Sequence, residues 1–425
     1  MALWLHQAAG KAPDRVAVET PEGSLTYREL QAAALRAAAA MAGLRGPKRI
    51  ALALPPGLEF VIALHGCILA GAAAVPLDLR HTAQERTQRL AGAEVVIEQP
   101  PSAPAGTPML RVAPTHRAPI AVLHTSGTTS DPKPVVLTAG NFLASALGSA
   151  VALGLDPAER WLCPMPLTHV GGLSIPIRSA IYATTAVVPG RFETEAVLAE
   201  LMDPQRRITL VSLVPTMLSR LLDAGLDRPP TLRWALLGGG PIAPGLLQRA
   251  SKAGVPVAPT YGMTEACSQI ATFGWPLPGV DVRLTGAGEI HVRGAIVAPE
   301  AADEHGWLHT GDLGRHDDRG RLEIVGRMSD TIITGGENVA PTEVEAILLE
   351  HPAVADAAVY GRSDPEWGET VVAAIVLTPG STAAPQELRE HCAARLARFK
   401  VPKDVSFVET LPRTASGKLL RRELI

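Results

Sequence analysis

Between Arg49 and Glu98, and again between Ile208 and Pro259, short apolar runs alternate with segments of helical period. The first series reads as strand Arg49 to Leu54, a helix to about Ala70, strand Ala73 to Leu77, helix 82–91 and strand Glu94 to Glu98. The second reads as helix 194–202, strand Ile208 to Leu213, helix Pro215 to Ala224, strand Leu232 to Leu237, another helix and strand Val255 to Pro259. Strands separated by helices pair in parallel, and a parallel sheet needs helices over both faces to bury its apolar strands. The pattern therefore commits most of the chain to two α/β subdomains. Helices are also expected from Tyr27 to Leu44, ending near Gly43 and Gly46, and from a Thr138 or Asn141 cap to about Gly154.

From Asp281 the period changes. Asp281 to Leu284, Gly288 to Gly294 and Arg321 to Val325 are short alternating strands between glycines, hence a small antiparallel unit. Beyond Arg327 a mixed segment follows: helix 341–350, strands 354–360 and 370–377, helix 385–397 and strand Asp404 to Val408. The expected fold class is α/β: a large N-terminal domain of two parallel-sheet subdomains plus a small β unit, residues 1–327, then a small α+β domain, residues 328–425.

The formal net charge of −3 with 19% charged residues argues against nucleic acid or an anionic membrane as the main partner. Cys67, Cys163, Cys267 and Cys392 are widely spaced, so reduced thiols in a cytoplasmic protein are expected rather than a disulfide framework or a zinc site. The N-terminus shows no signal-peptide pattern, and the apolar run Phe60 to Ala74 is too short to span a bilayer.

Lysine is confined to seven positions, and Lys133 and Lys418 fall in loops rich in Gly, Ser and Thr. The stretch Thr125-Ser126-Gly127-Thr128-Thr129, followed by Lys133, can turn N–H groups, hydroxyls and one point charge toward an anion, though it lacks the spacing of a Walker A loop. Gly238, Gly239 and Gly240 end a strand where α/β sheets place ligands, and three glycines suggest a flat group lying on the backbone. In Tyr261-Gly262-Met263-Thr264-Glu265, placed after a strand, Thr264 suits a phosphate oxygen. Glu265 suits Mg²⁺, or is an ordinary helix-start carboxylate. Asp312, on a Gly-rich turn Thr310-Gly311-Asp312, suits two vicinal hydroxyls or caps the turn. Arg327 bonds a ribose or phosphate, or makes an interdomain ion pair. Lys418, on the loop Pro412 to Lys418, is either delivered to a reacting phosphate or simply solvated.

Together and in this order, these stretches resemble the adenylate-forming superfamily of acyl-CoA synthetases, luciferases and peptide-synthetase adenylation domains, over essentially the whole chain. The resemblance implies a carboxylic acid, ATP, Mg²⁺ and coenzyme A as substrates and cofactors. It implies a phosphate loop at Thr125 to Thr129 with Lys133, a ribose carboxylate at Asp312, a junction arginine at Arg327 and a catalytic lysine at Lys418. It further implies a C-terminal domain that rotates about Ser329, where Asp or Lys is common, bringing in the Gly335-Gly336 loop for thioester formation. Ser130 and Pro134 stand where the family usually has glycines, so a stiffer phosphate loop is expected. The oligomeric state stays open, a homodimer being one arrangement.

The expected acyl-pocket stretches 161–178, 208–219 and 235–241 contain no Asp or Glu, which disfavours an amino-acid substrate with its ammonium group. Gly171, Gly172 and Gly238 to Gly240 leave room for a flat acyl group. Pro166 to Ser174, Leu237 to Pro241, Tyr261 to Gln269 and Ile332 to Asn338 are similar to the o-succinylbenzoate–CoA ligase branch. Other aryl-CoA ligases, and an enzyme loading a carrier protein, are the alternatives. His169 is expected to gate the pocket mouth or to pack only, and Arg178 to meet a second substrate carboxylate or serve its helix.

Overall fold

The computed structural model describes residues 4–42, 48–99, 115–125, 133–413 and 419–424. Its first sheet has the order Val95–Ile97, Arg49–Leu52, Ala73–Pro76, Pro119–Thr125, Lys133–Thr138. The first four strands are parallel, as the alternation predicts, but the last returns antiparallel from its neighbour, with Thr125 opposite Lys133. Pro134 lies on this edge strand opposite His124, where a missing N–H costs no interior ladder bond.

The second sheet runs Trp275–Pro276, Ser268–Thr272, Val257–Met263, Trp234–Leu237, Leu210–Leu213, Arg160–Leu162, Thr185–Val187, Val16–Thr20, Gly23–Thr26. Six central strands are parallel; antiparallel hairpins close both edges. Both hairpins add edge strands to those that the alternation marks. Their strands are two to seven residues long, too short for a clear alternation.

The two subdomains share one core, in which Ile50 and Leu64 from the first join Val18, Trp161 and Leu210 from the second. Helix Tyr27–Ala42 lies against helix Leu58–Ala70 along a seam of small residues. A Cβ at Gly66 would stand 3.0 Å from Ala37 Cβ, so the alanine-rich sequence serves close helix approach. Helix Ala139–Leu153 begins with a reciprocal cap between Thr138 and Asn141, so both candidate caps act together.

The third sheet is a four-stranded meander, Val280–Leu284, Glu289–Gly294, Trp307–His316 and Leu322–Arg327. Trp307–His316 corrects the reading of Thr310 to Asp312 as a turn: those residues lie inside a ten-residue strand. The fourth sheet orders Glu337–Val339, Ile332–Thr334, Gly368–Leu377 and Val354–Asp364, with Asp404–Phe407 parallel to Gly368–Leu377. It packs helices Pro341–Leu348 and Pro385–Ala393 over its own core of Val344, Leu348, Val359, Ile375 and Leu388.

Pro176 inside helix Val170–Tyr182 has no N–H for the Gly172 carbonyl, which receives the Cys163 thiol at 3.6 Å instead. The Pro176 carbonyl accepts from His65, and full burial pulls that imidazole down to about 4. A depressed histidine contributes stability that is present above its unfolded value near 6.5 and lost as pH falls toward 4. Between pH 7 and pH 5, His65→Gln, which keeps a donor for Pro176, should lose about 2 kcal/mol less stability than the parent in urea titrations. Equal losses would place the acid sensitivity elsewhere.

Candidate active site

Register creates the centre of the site. Across the pair Glu289–Gly294 and Trp307–His316, Glu289 faces Leu313 and His291 faces His309, so the single residue Ile290 is opposed by Thr310, Gly311 and Asp312. This bulge is stabilised from within. Thr310 Oγ1 donates to the Ile290 carbonyl (2.7 Å) and accepts from Asp312 N (3.0 Å), while Gly311 N donates to Glu289 Oε1 (3.1 Å). Gly311 has φ 68°, the left-handed region that a side chain would strain. Each residue of the Thr-Gly-Asp motif thus has a mechanical role, and their product is a buried carboxylate out of register with strand Glu289–Gly294.

Asp312 lies directly opposite Arg327, whose Nε is 2.8 Å from Asp312 Oδ1. Tyr261 Oη donates to the other oxygen at 2.8 Å. Burial, reinforced by the Asp312 charge, drives the Tyr261 phenol well above its ordinary value, so it stays a hydroxyl donor. A carboxylate oxygen accepts more than one hydrogen bond, so Asp312 keeps capacity for hydroxyls of a ligand. The expected ribose aspartate and junction arginine are therefore neighbours. Arg327 meets Asp312 as an ion pair within the third sheet.

Tyr261, Gly262 and Met263 extend strand Val257–Met263 rather than following a strand, and a tight turn Thr264–Ala266 comes next. A Cβ at Gly262 would fall 1.6 Å from the Ser268 carbonyl oxygen, so the fold-back itself requires this glycine. Cys267 and Ser268 both have positive φ, 49° and 93°. The strained turn is tied down where Ser145 Oγ donates to the Cys267 carbonyl (2.7 Å) and accepts from Arg178 (2.8 Å). Arg178, fully buried over Trp161, is thus a brace for this turn, a role the sequence did not signal. Among the described residues no hydrogen bond or ion pair engages the Glu265 carboxylate, which leaves a hard oxygen donor suited to Mg²⁺.

The glycines divide. Gly172 would place a Cβ 2.3 Å from the Pro166 carbonyl, and Gly238 one 2.8 Å from the Thr260 carbonyl, so close packing requires both. At Gly171 the neighbour is the flexible end of Met165, 2.9 Å away. This corrects the expectation that all five glycines clear space. Gly239 is needed for its φ of 80°, and only Gly240 of the five has neither a positive φ nor a close neighbour, Pro215 standing at an ordinary contact distance of 3.9 Å. Gly335 and Gly336, φ 59° and 84°, form the two-residue turn between Ile332–Thr334 and Glu337–Val339.

His169 precedes helix Val170–Tyr182 and is half-buried, with Asp78, Arg80 and His81 of the first subdomain around it. Burial holds its imidazole below the usual range, with Asp78 pulling the other way, so it is neutral at pH 7. His124, half-buried on strand Pro119–Thr125, is pulled down to about 4 mainly by burial. Thr125 and Lys133 face each other at the end of their strand pair. Ser126, Gly127, Thr128, Thr129, Ser130 and Lys418 lie outside the described residues.

Comparison with known proteins decides the family. The family described as AMP-binding enzyme matches residues 5–104 and 95–302, and that described as AMP-binding enzyme C-terminal domain matches residues 343–418. The chain belongs to the AMP-binding enzyme family. A 2-succinylbenzoate–CoA ligase of Bacillus licheniformis is 39% identical over 99% of this chain and 98% of its own length, and one of Bacillus cereus is 37% identical over 100% and 98%. The o-succinylbenzoate CoA synthetase of Bacillus subtilis, solved with its acyl-adenylate intermediate, superposes with a TM-score of 0.92 at 36% identity, covering 100% of this chain and 98% of that one. Its complex with ATP and magnesium gives 0.91 at 35% identity, covering 100% and 99%.

For this AMP-binding enzyme, Asp312→Asn should weaken ATP binding roughly ten- to a hundredfold, because a charged acceptor shared by Tyr261 and Arg327 is neutralised. Tyr261→Phe should cost less, since Arg327 remains. Equilibrium binding of ATP measures both, and unchanged affinity in Asp312→Asn would remove Asp312 from the nucleotide site.

Proposed function

We propose that this chain is an ATP-dependent acid–CoA ligase acting on o-succinylbenzoate in menaquinone biosynthesis. The observation that carries the reading is the bulged carboxylate Asp312 between Tyr261 and Arg327, set in a chain alike over its full length to ligases of that name. The acid-free stretches 161–178, 208–219 and 235–241 support it, since an acyl group without an ammonium needs no buried counter-charge.

In the first step the substrate carboxylate oxygen bonds to the α-phosphorus of ATP and pyrophosphate leaves. In the second the CoA thiol bonds to the acyl carbon and AMP leaves. Asp312 holds the ribose hydroxyls; Tyr261, Gly262, Met263, Gly239 and Gly240 line the nucleotide; Thr264 and the 125–133 stretch contact phosphates. Mg²⁺, when bound, supplies positive charge to phosphate oxygens, and Glu265 is the residue that would hold it. Lys418 stabilises charge developing on the α-phosphate. His169, neutral and at the seam between subdomains, closes the acyl pocket.

Under the same reading residues 1–327 bind ATP and acid, while residues 328–425 carry Lys418 and turn about Ser329. Ser329 Oγ donates to Asp330 (3.0 Å), and Asp330 pairs with Arg421 (2.8 Å), which also grips Glu345. The hinge thus begins where the C-terminal unit's own bracing starts. Among the described residues no helix is long and apolar enough to cross a membrane, and the cytoplasm is the compartment where ATP and CoA meet.

With o-succinylbenzoate, ATP and CoA the enzyme should release one pyrophosphate per thioester formed. Benzoate and free amino acids should be poor substrates. Lys418→Ala should slow pyrophosphate release by about 10²–10³-fold while sparing thiolysis of a supplied acyl-adenylate. Pyrophosphate release without any CoA thioester would sink the ligase assignment, and an undiminished adenylation rate in Lys418→Ala would sink the role of the lysine.

A further inference from the structure

On the outer side of the bulge that carries Asp312, three side chains converge that the ligase reaction does not use. His291 and His309 are direct partners across the two strands, and Glu289 lies two residues before His291 on the same strand. Side chains two apart on a strand share a face, and direct cross-strand partners are the closest pairs on it, so the register alone brings Glu289, His291 and His309 together. One ligating atom from each lies within 4.8 Å of the others. Glu289 Oε2 and His291 Nε2 are 2.9 Å apart, and the two imidazole rings stack at 4.0 Å.

We infer that Glu289, His291 and His309 form a binding site for a borderline divalent transition cation of the Zn²⁺ class, separate from the Mg²⁺ of catalysis. Ligands about 2.0–2.2 Å from one zinc ion stand roughly 3–3.5 Å apart, so small rotations of these side chains complete the set. Two imidazoles and one carboxylate suit Zn²⁺, Co²⁺ or Ni²⁺, whereas Mg²⁺ prefers oxygen alone.

Three further features fit a ligand set. Asp303 Oδ2 lies 3.0 Å from His309 Nε2 and can take its proton in a hydrogen bond, which leaves Nδ1 free to ligate. His291 is buried and fixed, while His309 is half-exposed and offers an entry path. Glu289 turns only one oxygen to the histidines; its other accepts from Gly311 N, so an ion here would brace the loop that presents Asp312. One group opposes the site. Arg283 Nη2 stands 3.3 Å from His291 Nδ1 and must withdraw when Nε2 ligates and the ring proton moves to Nδ1. Arg283 is exposed and stacks on Trp307 at 4.0 Å, which leaves it room to move.

The test uses tag-free, chelator-treated full-length protein titrated with Zn²⁺ by calorimetry and with Co²⁺ by visible absorption. One equivalent should bind, and Co²⁺ should show the absorption of a nitrogen-ligated site in the presence of excess Mg²⁺. His309→Ala, whose side chain is half-exposed, should fold normally, keep ligase activity without added metal, and bind Zn²⁺ at least about tenfold more weakly. His291→Gln should do the same if it folds. Zn²⁺ should also raise the thermal midpoint of the parent and not of His309→Ala. Equal Zn²⁺ affinity in the parent and His309→Ala, or a Co²⁺ spectrum indifferent to that substitution, would overturn the inference.

Discussion

The ion pair between Asp312 and Arg327, with the Tyr261 hydroxyl on its other oxygen, is the contact on which the rest of the site depends. It joins three separate stretches: the end of a strand in the second sheet, the bulge in the third sheet and the last residue of that sheet's final strand. A buried carboxylate without partners would be prohibitively unfavourable, so its partners must be in place before a nucleotide arrives. Preorganisation of this kind removes the cost of assembling acceptors at the moment of binding.

What holds the carboxylate there is a local departure from regular pairing. Three residues face one across the ladder, and Thr310, Gly311 and Glu289 supply the hydrogen bonds that the ladder loses. The second strained element, the turn at Cys267 and Ser268, follows the Glu265 motif and is secured by Ser145 and the buried Arg178. The bulge is braced from within its own strand pair, and the turn by side chains from distant parts of the chain. Strain persists only where surrounding structure over-determines it.

The alternating strands and helices were legible because the periods of two and 3.6 leave separate marks over several residues. Helices Leu58–Ala70, Thr194–Met202 and Pro341–Leu348, the parallel strands between them and the capping pair Thr138 and Asn141 follow that reading closely. The short hairpins Val16–Thr26 and Ser268–Pro276 left no such mark, and they add antiparallel strands at both edges of the second sheet. The glycines misled for a related reason. Composition shows that a side chain is absent, but only packing shows whether backbone crowds its place, as at Gly172 and Gly262, or an added Cβ would meet only ordinary contact, as at Gly240.

By itself the sequence determined the α/β class, the order of the elements, the family resemblance and the residue types that nucleotide chemistry needs, because each is encoded in local periodicity or in short motifs. Tertiary structure alone decided that Asp312 rides a bulge, that Arg327 and Tyr261 share its two oxygens, that Arg178 braces a turn, and that Glu289, His291 and His309 converge. These are matters of strand register and of contacts between residues far apart in the chain. A one-residue slip in register would send every one of those strand side chains to the opposite face.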